Sequence, residues 1–196
     1  MIVVTVRAAL LQDASGYVLK FIHTIFILMS SFTFKCSKCD QIHEGIPSFN
    51  LEAPVYYYSI PSEEREFRTK LTSDTCVIDD EYFFAKGFLI IPVLGLDESL
   101  SFTPWVSLSE SNFAKFQESL DIEDASKYGS MFGWFSSQIE GFGDCVNLKT
   151  NLILQDNNHR PDIDIEPTSH PLSLAYHNGI SKEKLIELVE IYLHKW

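Results

Sequence analysis

Between residues 146 and 165 the side chains alternate: Val146, Leu148, Thr150, Leu152 and Leu154 form one run, Ile163 and Ile165 the next, with Asp156-Asn157-Asn158 between them. A period of two belongs to a β-strand with one buried face, and short polar side chains that tolerate turn dihedrals reverse it. This stretch is therefore expected to be a hairpin. The same pattern recurs at Cys76-Val77-Ile78, Asp79-Asp80 and Tyr82 to Val93, where Gly87 is expected to mark a bulge. Thr33-Phe34-Lys35, Pro54 to Ile60 and Pro104-Trp105-Val106 read as further strands.

Helices are signalled between them. Pro61-Ser62-Glu63-Glu64 opens a short one through about Thr69. Ser107-Leu108-Ser109-Glu110 fits a capping box ahead of a helix with Phe113, Phe116 and Leu120 on one face. His170-Pro171-Leu172 starts another that Asn178-Gly179 closes, and Ser181 caps a last helix with Leu185, Ile186, Val189 and Leu193 turned inward. Antiparallel hairpins with a few helices at one side make an α+β domain.

A chain of 196 residues, 45% hydrophobic, has enough apolar matter for one core. Residues 1–28 are nearly uncharged and end in the apolar run Phe21 to Leu28, far short of the roughly 20 residues of a spanning helix. They are expected to be an extension, loosely ordered or from upstream translation, ahead of a single domain over residues 29–196. No membrane association is expected. A net charge of -12 repels phosphate backbones, so nucleic acid is not an expected partner, whereas a basic protein would be attracted. Four cysteines at irregular spacing do not make a disulfide framework, and a reducing, cytoplasmic setting follows.

The chemistry concentrates at Cys36-x-x-Cys39-x-x-x-His43. Two thiolates separated by two residues can wrap one zinc ion, and the imidazole four residues on supplies a third ligand. The fourth ligand stays open among Cys76, Cys145, His170 and His177, none of which stands at a selecting spacing. A structural zinc is the expected cofactor; a catalytic one would have to draw on Glu44, beside His43. Thiol redox chemistry wants the pair at a helix N-terminus, which Gly45 and Pro47 disfavour.

The order Cys36-x-x-Cys39-x-x-x-His43-x-Gly45-x-Pro47, Ser73-Asp74-x-Cys76-Val77-Ile78-Asp79, Trp105-Val106-Ser107-Leu108, Phe132-Gly133-Trp134, Arg160-Pro161 and His170-Pro171-Leu172 resembles the signature string of domain-of-unknown-function family 2199. The resemblance implies a bacterial origin and a single domain, and it carries no assigned activity.

Other groups divide between function and structure. Arg160 and His170 could clamp an anion and move a proton, or Arg160 could pair with Asp162, Asp164 or Glu166 while His170 caps its helix. Asp74, Asp79, Asp80 and Glu81 fit a turn better than a cation site. Trp105, Trp134 and Tyr56-Tyr57-Tyr58 are expected in the core. There is no Gly-rich phosphate loop, Gly-x-Ser-x-Gly elbow or His-Glu-x-x-His pattern. Two readings remain. One is a binding module with a structural zinc that inhibits a basic partner; the other is a small metal- or thiol-dependent enzyme using the knuckle with Arg160 and His170.

Overall fold

A computed structural model of the protein describes residues 32–195. The extension expected over residues 1–28 lies outside them. Twelve strands and five α-helices are present among the described residues. They run in the order β1 (Thr33–Lys35), β2 (Ile42–Glu44), β3 (Ser48–Asn50), α1 (Val55–Tyr58), α2 (Arg65–Arg68), β4 (Thr69–Leu71), β5 (Thr75–Ile78), β6 (Tyr82–Lys86), β7 (Leu89–Pro92), β8 (Ser99–Thr103) and β9 (Trp105–Leu108). Next come α3 (Glu110–Ser119), a 3-10 turn (Ala125–Tyr128), β10 (Ser130–Phe135), β11 (Lys149–Ile153), β12 (Asp162–Ile165), α4 (Pro171–Asn178) and α5 (Lys182–Leu193).

Seven strands form the main sheet in the order β12-β11-β10-β9-β6-β5-β4, every pair antiparallel. The expected hairpins are here, β5–β6 around Asp79-Asp80 and β11–β12 around Asp156-Asn157-Asn158. Beside it stands a three-stranded sheet, β3-β8-β7, in which β3 runs parallel to β8. The architecture is α+β.

One face of the main sheet buries Ala85, Val106, Met131, Phe135, Leu152, Ile163 and Ile165 in the principal core. Phe113 and Phe116 of α3 cover it, with Phe83 and Phe113 at a ring separation of 5.1 Å. On the other face Phe84, Cys76, Ile78 and Trp105 close a smaller core with Ile60.

Several local expectations changed. Pro54 to Ile60 pairs with no strand; its residues 55–58 turn into α1, because the Val55 amide donates to the Ser136 carbonyl at 2.9 Å and Tyr56 stacks on Phe84. The run from Tyr82 to Val93 breaks at Gly87 and supplies β6 to one sheet and β7 to the other. Gly87 makes no bulge but a crossing: a Cβ there would lie 2.7 Å from Ile163 Cγ1 and 2.9 Å from the Pro161 carbonyl oxygen. The cap of α3 is Ser109, which accepts from the Asn112 amide at 3.3 Å, while Ser107 ends inside β9. Leu120 and Leu193 are exposed, and Leu188 takes the inward place on α5.

Gly133 of β10 has no room for a side chain, since a Cβ would overlap the Val106 side chain and the Ser107 carbonyl oxygen of β9. Gly133→Ala should lower the unfolding free energy by about 2 kcal/mol, the usual cost of overpacking a closed site; the midpoint and slope of urea denaturation measure it.

Candidate metal centre

The first hairpin is built to present sulfur and nitrogen on one side. β1 and β2 pair with Phe34 opposite His43, and their rings stack at 5.4 Å. The turn between them closes with the Cys36 amide donating to the Gln41 carbonyl at 2.8 Å and the Asp40 amide to the Cys36 carbonyl at 3.1 Å. Asp40 takes a left-handed backbone, φ 58°, which a short polar residue accepts readily. The Lys38 amide also points at Cys36 Sγ, 3.4 Å away.

Within this turn Cys39 Sγ lies 3.4 Å from His43 Nε2. A fourth donor atom joins them from far along the sequence: His194 Nε2 stands 3.1 Å from Cys36 Sγ. One ligand atom from each of Cys36, Cys39, His43 and His194 lies within 4.8 Å of all the others. Tetrahedral bonds of about 2.3 Å to sulfur and 2.0–2.1 Å to nitrogen place ligand atoms roughly 3.3–3.8 Å apart. The separations of 3.1 and 3.4 Å are near that range, and the others lie within 4.8 Å. The donor set can hold a metal ion.

What brings His194 here is α5, which ends at Leu193. One turn earlier Glu190 accepts from both the Ser37 amide, 2.5 Å, and the Ser37 hydroxyl, 2.8 Å. Those hydrogen bonds, the backbone one foremost, hold the Glu190 carboxyl below the usual range. Ser37 and Cys36 thus meet Glu190 and His194 as neighbouring pairs, fixing the register of the last helix against the knuckle.

The four residues from which sequence left the fourth ligand to be drawn are engaged elsewhere. Cys76 is wholly buried in the smaller core, where burial pushes its thiol up to about 12. Cys145 is buried beside the Ile139 and Gly143 carbonyls, and burial raises it too. His170 caps α4, its Nδ1 accepting from the Leu172 amide at 3.1 Å, with Nε2 2.9 Å from the Asp144 carbonyl oxygen. His177 Nε2 lies 2.8 Å from the Ile165 carbonyl oxygen. His194 was missed because 158 residues separate it from Cys36 and no spacing links them.

Arg160 pairs with Asp74, not with its sequence neighbours: Nε donates to Oδ1 at 2.7 Å and Nη2 lies 2.6 Å from the same oxygen. The pair borders a cavity of about 330 Å³ that also takes in His159 but neither His170 nor the knuckle. Glu44 lines a separate shallow groove of about 190 Å³ with His43. Asp79 and Asp80 form the β5–β6 turn, both at φ 54°, and pair with Arg68 and Lys70. Trp105 is fully buried as expected, whereas Trp134, Tyr56 and Tyr58 are exposed.

Residues 35–180 match the model of DUF2199, described as an uncharacterised protein conserved in bacteria. The chain belongs to the DUF2199 family. The DUF2199 match contains Cys36, Cys39, His43, Asp74 and Arg160, while His194 lies past its end. Comparison with curated proteins and with solved structures finds no match.

Two predictions test this arrangement. Burial pushes the Asp74 carboxyl up, but Ser73, Arg160 and Lys86 outweigh it and hold the group below its usual range. A depressed folded value gives stability that is complete above the unfolded carboxylate range and is lost as pH falls through the folded value. Arg160→Met removes part of that depression, so its acid-unfolding midpoint, followed by circular dichroism, should move to higher pH than wild type. In thiol titration of chelator-treated native protein, the half-buried Cys39 should react first, while the buried Cys36, Cys76 and Cys145 stay silent until urea is added.

Proposed function

We propose that this DUF2199 domain is a cytoplasmic binding module for a basic protein partner, which it inhibits, and that a structural zinc ion at Cys36, Cys39, His43 and His194 fastens its two ends. The observation that carries the zinc reading is the convergence of two sulfurs and two imidazoles within 4.8 Å from opposite ends of the described chain. Two thiolates neutralise a divalent ion, and sulfur with imidazole is a donor set that suits zinc. Four protein ligands leave no open position for a substrate, so such an ion contributes to folding and not to turnover.

The partner reading is supported by the charge of -12, which speeds encounter with a basic surface. The cytoplasmic setting is supported by free cysteines at all four positions and by the described residues containing no helix long and apolar enough to cross a membrane.

Elemental analysis of natively purified full-length protein decides the zinc assignment. Wild type should carry about one zinc per chain, and His194→Ala and Cys36→Ser should lose it together with several degrees of melting temperature. Equal metal content in all three overturns the site. For the partner, a captured basic protein should dissociate as ionic strength is raised; binding insensitive to salt would contradict an electrostatic partner.

A further inference from the structure

On the face of the main sheet turned away from α3, the middle strand β9 carries a small residue between two strands that carry large ones. Ser107 stands opposite Phe84 of β6 on one side and opposite Trp134 of β10 on the other. Tyr82 shares that face of β6, and Tyr56 from α1 stacks over Phe84 with ring centroids 5.6 Å apart. Strands two apart are separated by about 10 Å, so the aromatic walls flank a trough floored by Ser107. Its volume is about 480 Å³. Tyr56, Tyr82 and Trp134 keep 39%, 54% and 41% of their surface exposed, unusual for three large rings beside one cavity.

The trough is electrostatically one-sided. Asp79 and Glu81 line it, and the single cation among its lining residues is Arg68. That guanidinium is already committed, with Nε and Nη2 on Asp79 and Nη1 on Glu64. Aromatic faces attract cations, and Glu81, the lining carboxylate that Arg68 does not pair with, adds to the attraction.

We propose that this trough receives a cationic side chain, the guanidinium of arginine or the ammonium of lysine, carried on an extended basic segment of a protein partner. The inference rests on the basic-partner reading above and names the place where it is met. A peptide fits better than a small free cation because the aromatic surface continues past the cavity. Phe132 packs edge-on against Trp134 at 5.2 Å and is itself exposed, so it can meet a residue flanking the cation. Asn147, whose Oδ1 accepts from the Tyr56 hydroxyl at 3.2 Å, keeps its amide NH2 to donate to a backbone carbonyl of that segment.

The test titrates the full chain with a Gly-Arg repeat peptide, using the citrulline version and n-butylguanidinium as controls. The indole NH signal of Trp134, assigned by its absence in Trp134→Phe, locates binding in wild type by NMR, and the fluorescence anisotropy of a labelled peptide measures affinity for wild type and every variant. The arginine peptide should shift that signal, and Trp134→Ala and Tyr82→Ala should each weaken binding at least tenfold with unchanged melting temperature. The citrulline peptide should leave the signal in place. If the arginine peptide binds wild type and both variants alike, the trough is wrong while the basic-partner reading stands. If no basic peptide binds at any salt concentration, both fall. If n-butylguanidinium binds as tightly as the peptide, the occupant is a small cation and the peptide assignment is overturned.

Discussion

The arrangement of the N-terminal third depends on α5 lying across it. Along that one helix Leu185, Leu188 and Val189 enter the principal core, Tyr192 packs between Phe49 and Phe102 at 4.7 and 5.3 Å, and Glu190 and His194 meet the knuckle. Tyr192 matters most for β3. Its ring covers the strand whose parallel pairing to β8 has no local turn to enforce it. The phenol is buried enough to be pushed up to about 12, and it accepts from the Glu140 amide at 3.0 Å, so the polar tip is satisfied where the ring is enclosed.

The β1–β2 hairpin has little intrinsic support. Its strands are three residues each, and a two-stranded ribbon of that size is marginal in water. Phe34 and Cys36 are the residues it buries. A donor cluster that can hold a metal fits this point, because coordination would supply what so small an apolar surface cannot. The Glu190–Ser37 hydrogen bonds do a related job without metal: they set the helix register, and the imidazole four residues later then falls beside sulfur.

Charge within the fold is less uniform than the net value implies. Lys86 is 4% exposed, with Nζ on the Asn50 amide oxygen at 3.1 Å and 4.6 Å from the Trp105 ring centre. Burial, and then the neighbouring Arg160 charge, push its ammonium below the usual lysine range. Lys86 and Arg160 are therefore drawn in around Trp105 and Asp74, while the outer face beyond Ser107 keeps aromatic rings, Glu81 and the Asp79–Arg68 pair. The main sheet is closed on one face by α3 and only partly closed on the other, and that partial closure leaves the trough open.

Local chemistry was legible from residue order wherever neighbours in sequence are neighbours in space. The β5–β6 and β11–β12 hairpins, the Ser181 and His170 caps, the Thr33–Lys35 strand and the Cys36, Cys39, His43 grouping all rest on contacts a few residues apart, where dihedral preference and hydrogen-bond reach decide the outcome. Packing overrode that level at Pro54 to Ile60, whose β-like composition found no partner strand, and at Gly87, where close approach by Ile163 sends the chain from one sheet into the other. His194 beside Cys36 and Arg160 on Asp74 are separated by 158 and 86 residues and depend on how whole elements dock. Sequence alone determined an α+β domain with three candidate ligand side chains in one hairpin; only the tertiary structure brought a fourth donor to them, because a histidine at a helix end has no local partner until that helix is buried against that hairpin.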